Sequence, residues 1–91
     1  MSKKEQKSPV IKADQKEQEL YSLILYNDDI NTFDFVIETL IEVCEHDPMQ
    51  AENCAWIAHF KGKCKVKRGT IEDLKPRYQE MTNRMLTVEI K

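Results

Sequence analysis

Apolar residues occur in successive short blocks between Leu20 and Ile90, and each block has its own period. Leu20, Tyr21, Leu23, Ile24, Leu25 and Tyr26 form a nearly continuous run that stops at Asn27-Asp28-Asp29. Such a run bounded by turn formers predicts a buried strand with a polar cluster at its end. Phe33, Val36, Ile37, Leu40, Ile41 and Cys44 then recur at the spacing of one helical face, and Asn31 or Thr32 is placed to cap the helix they predict. In a second helix Asp47 is the cap, Pro48 takes the first helical position, Gln50 is placed to complete a variant capping box, and Gly62 ends it. Its apolar face, Ala51, Cys54, Ala55 and Ala58, is small, so another group can approach it closely.

From Cys64 to Lys67 apolar and charged residues alternate, which predicts a short, exposed strand. Thr70 can cap a third helix with Ile71, Leu74, Tyr78 and Met81 on its face, and Pro76 is expected to kink it or delay its start. Leu86, Val88 and Ile90 alternate in a closing strand. The order strand, helix, helix, strand, helix, strand predicts an α+β domain over 20–91, with three helices packed on a small three-stranded antiparallel sheet. Residues 1–19 carry mainly Lys, Glu, Gln and Ser, with Val10 and Ile11 the only aliphatic cluster. Too little apolar surface is available there to offset the entropy of ordering, so a mobile tail is expected.

Composition narrows the function. Charged residues make up 33% of the chain, with a net charge of -2, so no broad basic surface is expected to meet a nucleic acid or an anionic membrane. No apolar run reaches the roughly 20 residues of a membrane span, and no apolar stretch follows the early lysines as in an export signal. A cytoplasmic monomer is the expectation. Cys44, Cys54 and Cys64 are an odd number without that signal, which points to reduced thiols in core or half-buried positions.

Catalysis would have to draw on Asp28, Asp29 and His59, yet no serine or cysteine is placed as their nucleophile and two glycines make no phosphate-cradling loop. A zinc site would need Cys44, His46, Cys54, His59 and Cys64, whose gaps match no paired ligand spacing. Neither an enzyme nor a metal or other cofactor is expected. A third possibility is recognition of a cation. Asn27 and Asp29 alternate along an extended segment and so share a side, and His59 can close over them if its helix packs alongside. An amide oxygen, a carboxylate and a neutral imidazole are all acceptors, as an ammonium with three donors requires. The same residues also fit a plain turn, a helix cap and a helix-end histidine.

The string Tyr26-Asn27-Asp28-Asp29-Ile30-Asn31-Thr32-Phe33-Asp34-Phe35-Val36, with His59-Phe60-Lys61-Gly62-Lys63 further on, resembles the ClpS adaptors of the bacterial ClpAP protease. The similarity runs from about Tyr21 to Leu74 and returns at Leu86 to Ile90. The resemblance implies recognition of proteins whose first residue is Leu, Phe, Tyr or Trp and their delivery to an AAA+ Clp unfoldase. By motif position, Asn27, Asp29 and His59 would hold the ligand's α-amino group, with Asp28 beside its first peptide unit. Leu25, Asn31, Phe33, Val36, Ala55, Ala58 and Leu86 would form the side-chain pocket, Glu72 and Arg77 would dock on the unfoldase, and residues 1–19 would be the delivery tail. The family usually carries Thr-Pro-Met after its motif and its tyrosine, where this chain has Ile30-Asn31-Thr32-Phe33, and often Met and Val where it has Ala55 and Ala58, so the gate and depth of the pocket differ. A structural interaction module of the same fold, blind to N-termini, is the alternative.

Overall fold

A computed structural model describes residues 19–91, so the expected mobile tail lies, apart from Glu19, outside the described residues. The elements are β1 (Tyr21–Tyr26), α1 (Phe33–Cys44), α2 (Pro48–Lys61), β2 (Lys63–Gly69), α3 (Ile71–Asn83) and β3 (Thr87–Ile90). The strands form one antiparallel sheet in the order β2-β1-β3, and the helices cover it, as the apolar periods predict. β1 is central, and Leu23 and Leu25 on its inner face are 0% and 2% exposed. They meet Leu40 and Cys44 of α1, Ala51 and Ala58 of α2, and Leu74 and Met81 of α3 in a single core.

Each helix starts on a local oxygen. The hydroxyls of Thr32 and Thr70 accept from Phe35 and Asp73 N–H at 3.1 and 3.2 Å, and the Asp47 carboxylate accepts from Gln50 N–H at 2.8 Å. Thr32 is therefore the cap of α1, and Asn31 is left for another task. The expected capping box at Asp47 is only half made, because among the described residues the Gln50 side chain returns no bond to Asp47.

Two further expectations are corrected. Pro76 does not delay α3, which runs unbroken from Ile71 through Pro76 to Asn83. The Thr70 cap starts the helix before the proline, and Leu74 and Met81, both fully buried, hold its two halves on the same core. Strand β2 is longer than expected and is not exposed on both sides. Its Cys64 and Val66 are 8% and 4% exposed because the helices cover that face. A register shift between Leu23 and Ile24 leaves Val66 as an extra residue in β2, and its carbonyl accepts from Nε2 of the buried His46 at 2.6 Å. The bulge thus gives one backbone carbonyl to the α1–α2 connection instead of the ladder.

Candidate functional site

Strand β1 ends at Tyr26, and the Asn27 N–H donates to the carbonyl of Gly62 at 2.9 Å. Gly62 is the left-handed cap of α2, with φ at 94°, and its own N–H returns to the Ala58 carbonyl at 2.9 Å. A Cβ at this position would meet nothing within 4 Å, so the demand for glycine is conformational. The end of β1 is thereby tied to the end of α2. His59 lies one turn before Gly62, and this tie brings it next to Asn27.

The Asp28 carboxylate organises the following turn. One oxygen accepts from Ile30 N–H at 3.0 Å and Asn31 N–H at 2.9 Å, and the other accepts from Asn31 Nδ2 at 3.1 Å. Asn31 Nδ2 also donates to the carbonyl of Met85 at 2.9 Å. Met85 is itself left-handed, with φ at 70°, and leads into Leu86. One side-chain pair thus ties the turn after β1 to the turn before β3.

Between these ties is a cleft of about 280 Å³ lined by Leu25, Tyr26, Asn27, Asp28, Asp29, Asn31, Phe33, Val36, Ala55, Ala58, His59 and Leu86. Every residue expected at the amino-group and side-chain sites lines it, and Tyr26 is the one that sequence reasoning missed. The floor is apolar, with Leu25, Ala55, Ala58 and Leu86 buried, and the mouth is polar, with Asn27, Asp29 and His59 exposed. Among the described residues, no hydrogen bond engages the side chains of Asn27, Asp29 or His59. These three are thus free acceptors above an apolar floor, whereas Asp28 is committed to the turn. The volume lies just below the roughly 300 to 1,000 Å³ of clefts for drug-sized ligands and suits a single side chain.

One wall continues outward in aromatic rings. Phe33 packs on Trp56 with ring centroids 4.4 Å apart, and Trp56 stacks on Phe60 at 5.1 Å and 10°. An aromatic pair at Trp56 and Phe60 is readable as an i, i+4 contact on one helix. Its contact with Phe33 of α1 is not readable, because it depends on how the helices cross.

The expected docking residues lie elsewhere and differ from each other. Glu72 is exposed on the first turn of α3. Arg77 is turned into the molecule, where Nη1 donates to the Val43 carbonyl at 2.6 Å and Nη2 to Asp73 at 3.1 Å, with Glu45 at 3.8 Å. Val43 is in the last turn of α1, which has no basic residue of its own, so Arg77 supplies the missing cation across space.

The thiols are free, with Cys44 and Cys64 buried and Cys54 half-buried, as expected. Burial pushes the Cys44 thiol up to about 11 and the Cys64 thiol up to about 12, the latter helped by a hydrogen bond with Cys54. Both are neutral packing groups at physiological pH. Among the described residues no group of three metal-ligating side chains is gathered, and no helix is long and apolar enough to cross a membrane.

A three-stranded sheet under three helices, with a cleft sized for one side chain where strand, turn and helix ends meet, defines a small α+β module. Residues 16–88 match the family model of the ATP-dependent Clp protease adaptor protein ClpS. The chain is 31% identical over 68 residues to the ClpS adapter protein of Nitratidesulfovibrio vulgaris, covering 72% of this chain and 68% of that one. To the Shewanella halifaxensis ClpS adapter it is 39% identical over 59 residues, covering 65% of this chain and 58% of that one. The fold matches the structure of Agrobacterium tumefaciens ClpS2 bound to L-phenylalaninamide with a TM-score of 0.76 at 22% identity, covering 80% of this chain and 95% of that one. The chain belongs to the ClpS family of Clp protease adaptors.

Proposed function

We propose that the chain is a non-catalytic adaptor that binds proteins through a free α-amino group and a large hydrophobic first side chain, and passes them to an AAA+ Clp unfoldase in the cytoplasm. The observation that carries this reading is the cleft, in which three unengaged acceptors surround the mouth of an apolar hole sized for one side chain. An N-terminal ammonium has three donors. Asn27 Oδ1, the Asp29 carboxylate and the His59 imidazole can each accept one, and a carboxylate beside a cation adds charge to the bond. The first side chain then enters the cleft over Phe33 and Val36 and reaches Leu25, Ala55, Ala58 and Leu86. Asp28, occupied by its own turn, acts by holding Asn31 and the mouth in place, next to the ligand's first peptide unit.

L-Phenylalaninamide, the ligand bound by the Agrobacterium neighbour, has this combination of free amine and aromatic side chain. Docking on the unfoldase falls to Glu72 and the exposed side of α3, with Arg77 contributing by keeping α1 and α3 together. The adaptor works as a monomer, with residues 1–19 as its delivery tail.

A peptide beginning with Phe should bind in fluorescence anisotropy, and its N-acetylated copy should not. Equal binding of both would remove the amine from the recognition. If neither binds, an interaction module of this fold that does not read N-termini becomes the better account.

A further inference from the structure

The aromatic wall extends beyond what the cleft needs. Phe33 is shared between the cleft and the stack, but Trp56 and Phe60 line none of the cleft and stay 42% and 73% exposed. Trp56 is 6.0 Å and Phe60 5.0 Å from the His59 ring at the mouth, measured between centroids. Large aromatic faces left in water beside a recognition cleft mark a contact surface more often than a packing accident.

We propose that Trp56 and Phe60 form an aromatic shelf that receives the third side chain of a bound N-terminal segment and favours aromatic or large aliphatic residues there. The inference rests on the reading of the cleft as an N-terminus site. With the ammonium at the mouth and the first side chain in the cleft, the rest of the ligand must leave across the rim. In an extended chain the second side chain points away from the surface, and the third returns to the side of the first about 6 to 7 Å along. The shelf begins within that step of the mouth, since Trp56 lies 4.4 Å from Phe33 and 6.0 Å from His59 between ring centroids. The shelf is continuous with the cleft through Phe33 and His59, so no separate docking event is needed. Ring stacking or aliphatic contact on an indole supplies the preference, and an acidic third residue would gain nothing from it.

The test uses the full chain and peptides of the form Phe-Gly-X with a common tail, where X is Trp, Leu, Ser or Asp, each with a free and an acetylated amino end. Trp and Leu should bind about three- to tenfold more tightly than Ser or Asp, and the same substitutions at the second position should have little effect. Phe60→Ala, which leaves the Phe33–Trp56 contact in place, and the double variant Trp56→Ala with Phe60→Ala should flatten the third-residue ranking. In both, free-amine peptides should still bind better than acetylated ones. If acetylation matters but the ranking at X is flat in the wild type, survives in the double variant or moves to the second position, the shelf is overturned and the cleft reading stands. If acetylation makes no difference at all, both fail together.

Discussion

At the scale of single residues the mouth of the cleft is set by which acceptors are free. Among the described residues the side chains of Asn27, Asp29 and His59 have none of the internal bonds that occupy Asp28, so on the proposed reading truncating them removes an interaction with a ligand and not one within the fold. Asn27→Ala, Asp29→Ala and His59→Ala are each expected to weaken a Phe-leading peptide about tenfold or more, since hydrogen bonds to charged groups contribute about 1.5 to 3 kcal/mol. Thermal unfolding of these variants should match the wild type. His59→Gln keeps an acceptor and should recover part of the loss. Phe33 has a different effect because it narrows the mouth from the α1 side while Trp56 braces it at 4.4 Å. A side chain branched at Cβ should collide there, so Val and Ile should bind poorly as first residues, and Phe33→Ala should admit them. An unchanged ranking of first residues in that variant would remove Phe33 as the gate.

At the scale of elements two joints hold the fold, the first beside the cleft and the second away from it. Gly62 closes α2 and accepts from Asn27, so a side chain at that left-handed position strains the joint that places His59. Gly62→Ala should cost roughly 1 to 2 kcal/mol in denaturant unfolding and weaken peptide binding as well. Arg77 is the second joint, holding the Val43 carbonyl of α1 from α3. Removing it leaves that carbonyl and the Asp73 carboxylate without their partner, and Arg77→Met should destabilise the domain by about 1 to 3 kcal/mol. Glu72→Ala, at an exposed position, should leave stability unchanged and reduce delivery to the unfoldase. Equal stability of the Arg77 and Glu72 variants would show that the Arg77–Val43 bond contributes nothing.

At the scale of the whole molecule the small core carries a pH signature. The folded state holds the Cys44 thiol up near 11, against an ordinary value of 9.0, chiefly by burial, and Cys64 near 12 by burial and its bond to Cys54. A pKa raised on folding means that the native state binds protons that the unfolded chain releases. Stability from these thiols is therefore complete below about pH 9 and is lost as pH rises towards 11 and 12. Cys44→Ala should lower stability at neutral pH through the lost packing, and its unfolding free energy should fall less steeply than the wild type's between about pH 9 and 11. Parallel slopes for the two proteins would mean that the thiol is not held neutral by the fold.

What the sequence determined by itself is what short stretches decide through their own neighbours. The faces of α1 and α2, the caps at Thr32, Asp47 and Thr70, the stop at Gly62 and the polar cluster after β1 all rest on interactions a few residues apart. The cleft residues were legible because a motif carried them as a group, and they do line one cleft. The tertiary structure alone decided that Asn31 bridges Asp28 to Met85 and does not cap α1, that Arg77 points inward to Val43 and that Phe33 lies on Trp56. It also decided that one face of β2 is buried and that Pro76 lies within a continuous helix. Each of these depends on segments brought together across a long loop of chain. The partner in such a pair is selected by how the helices pack on the sheet, which no local period or cap encodes.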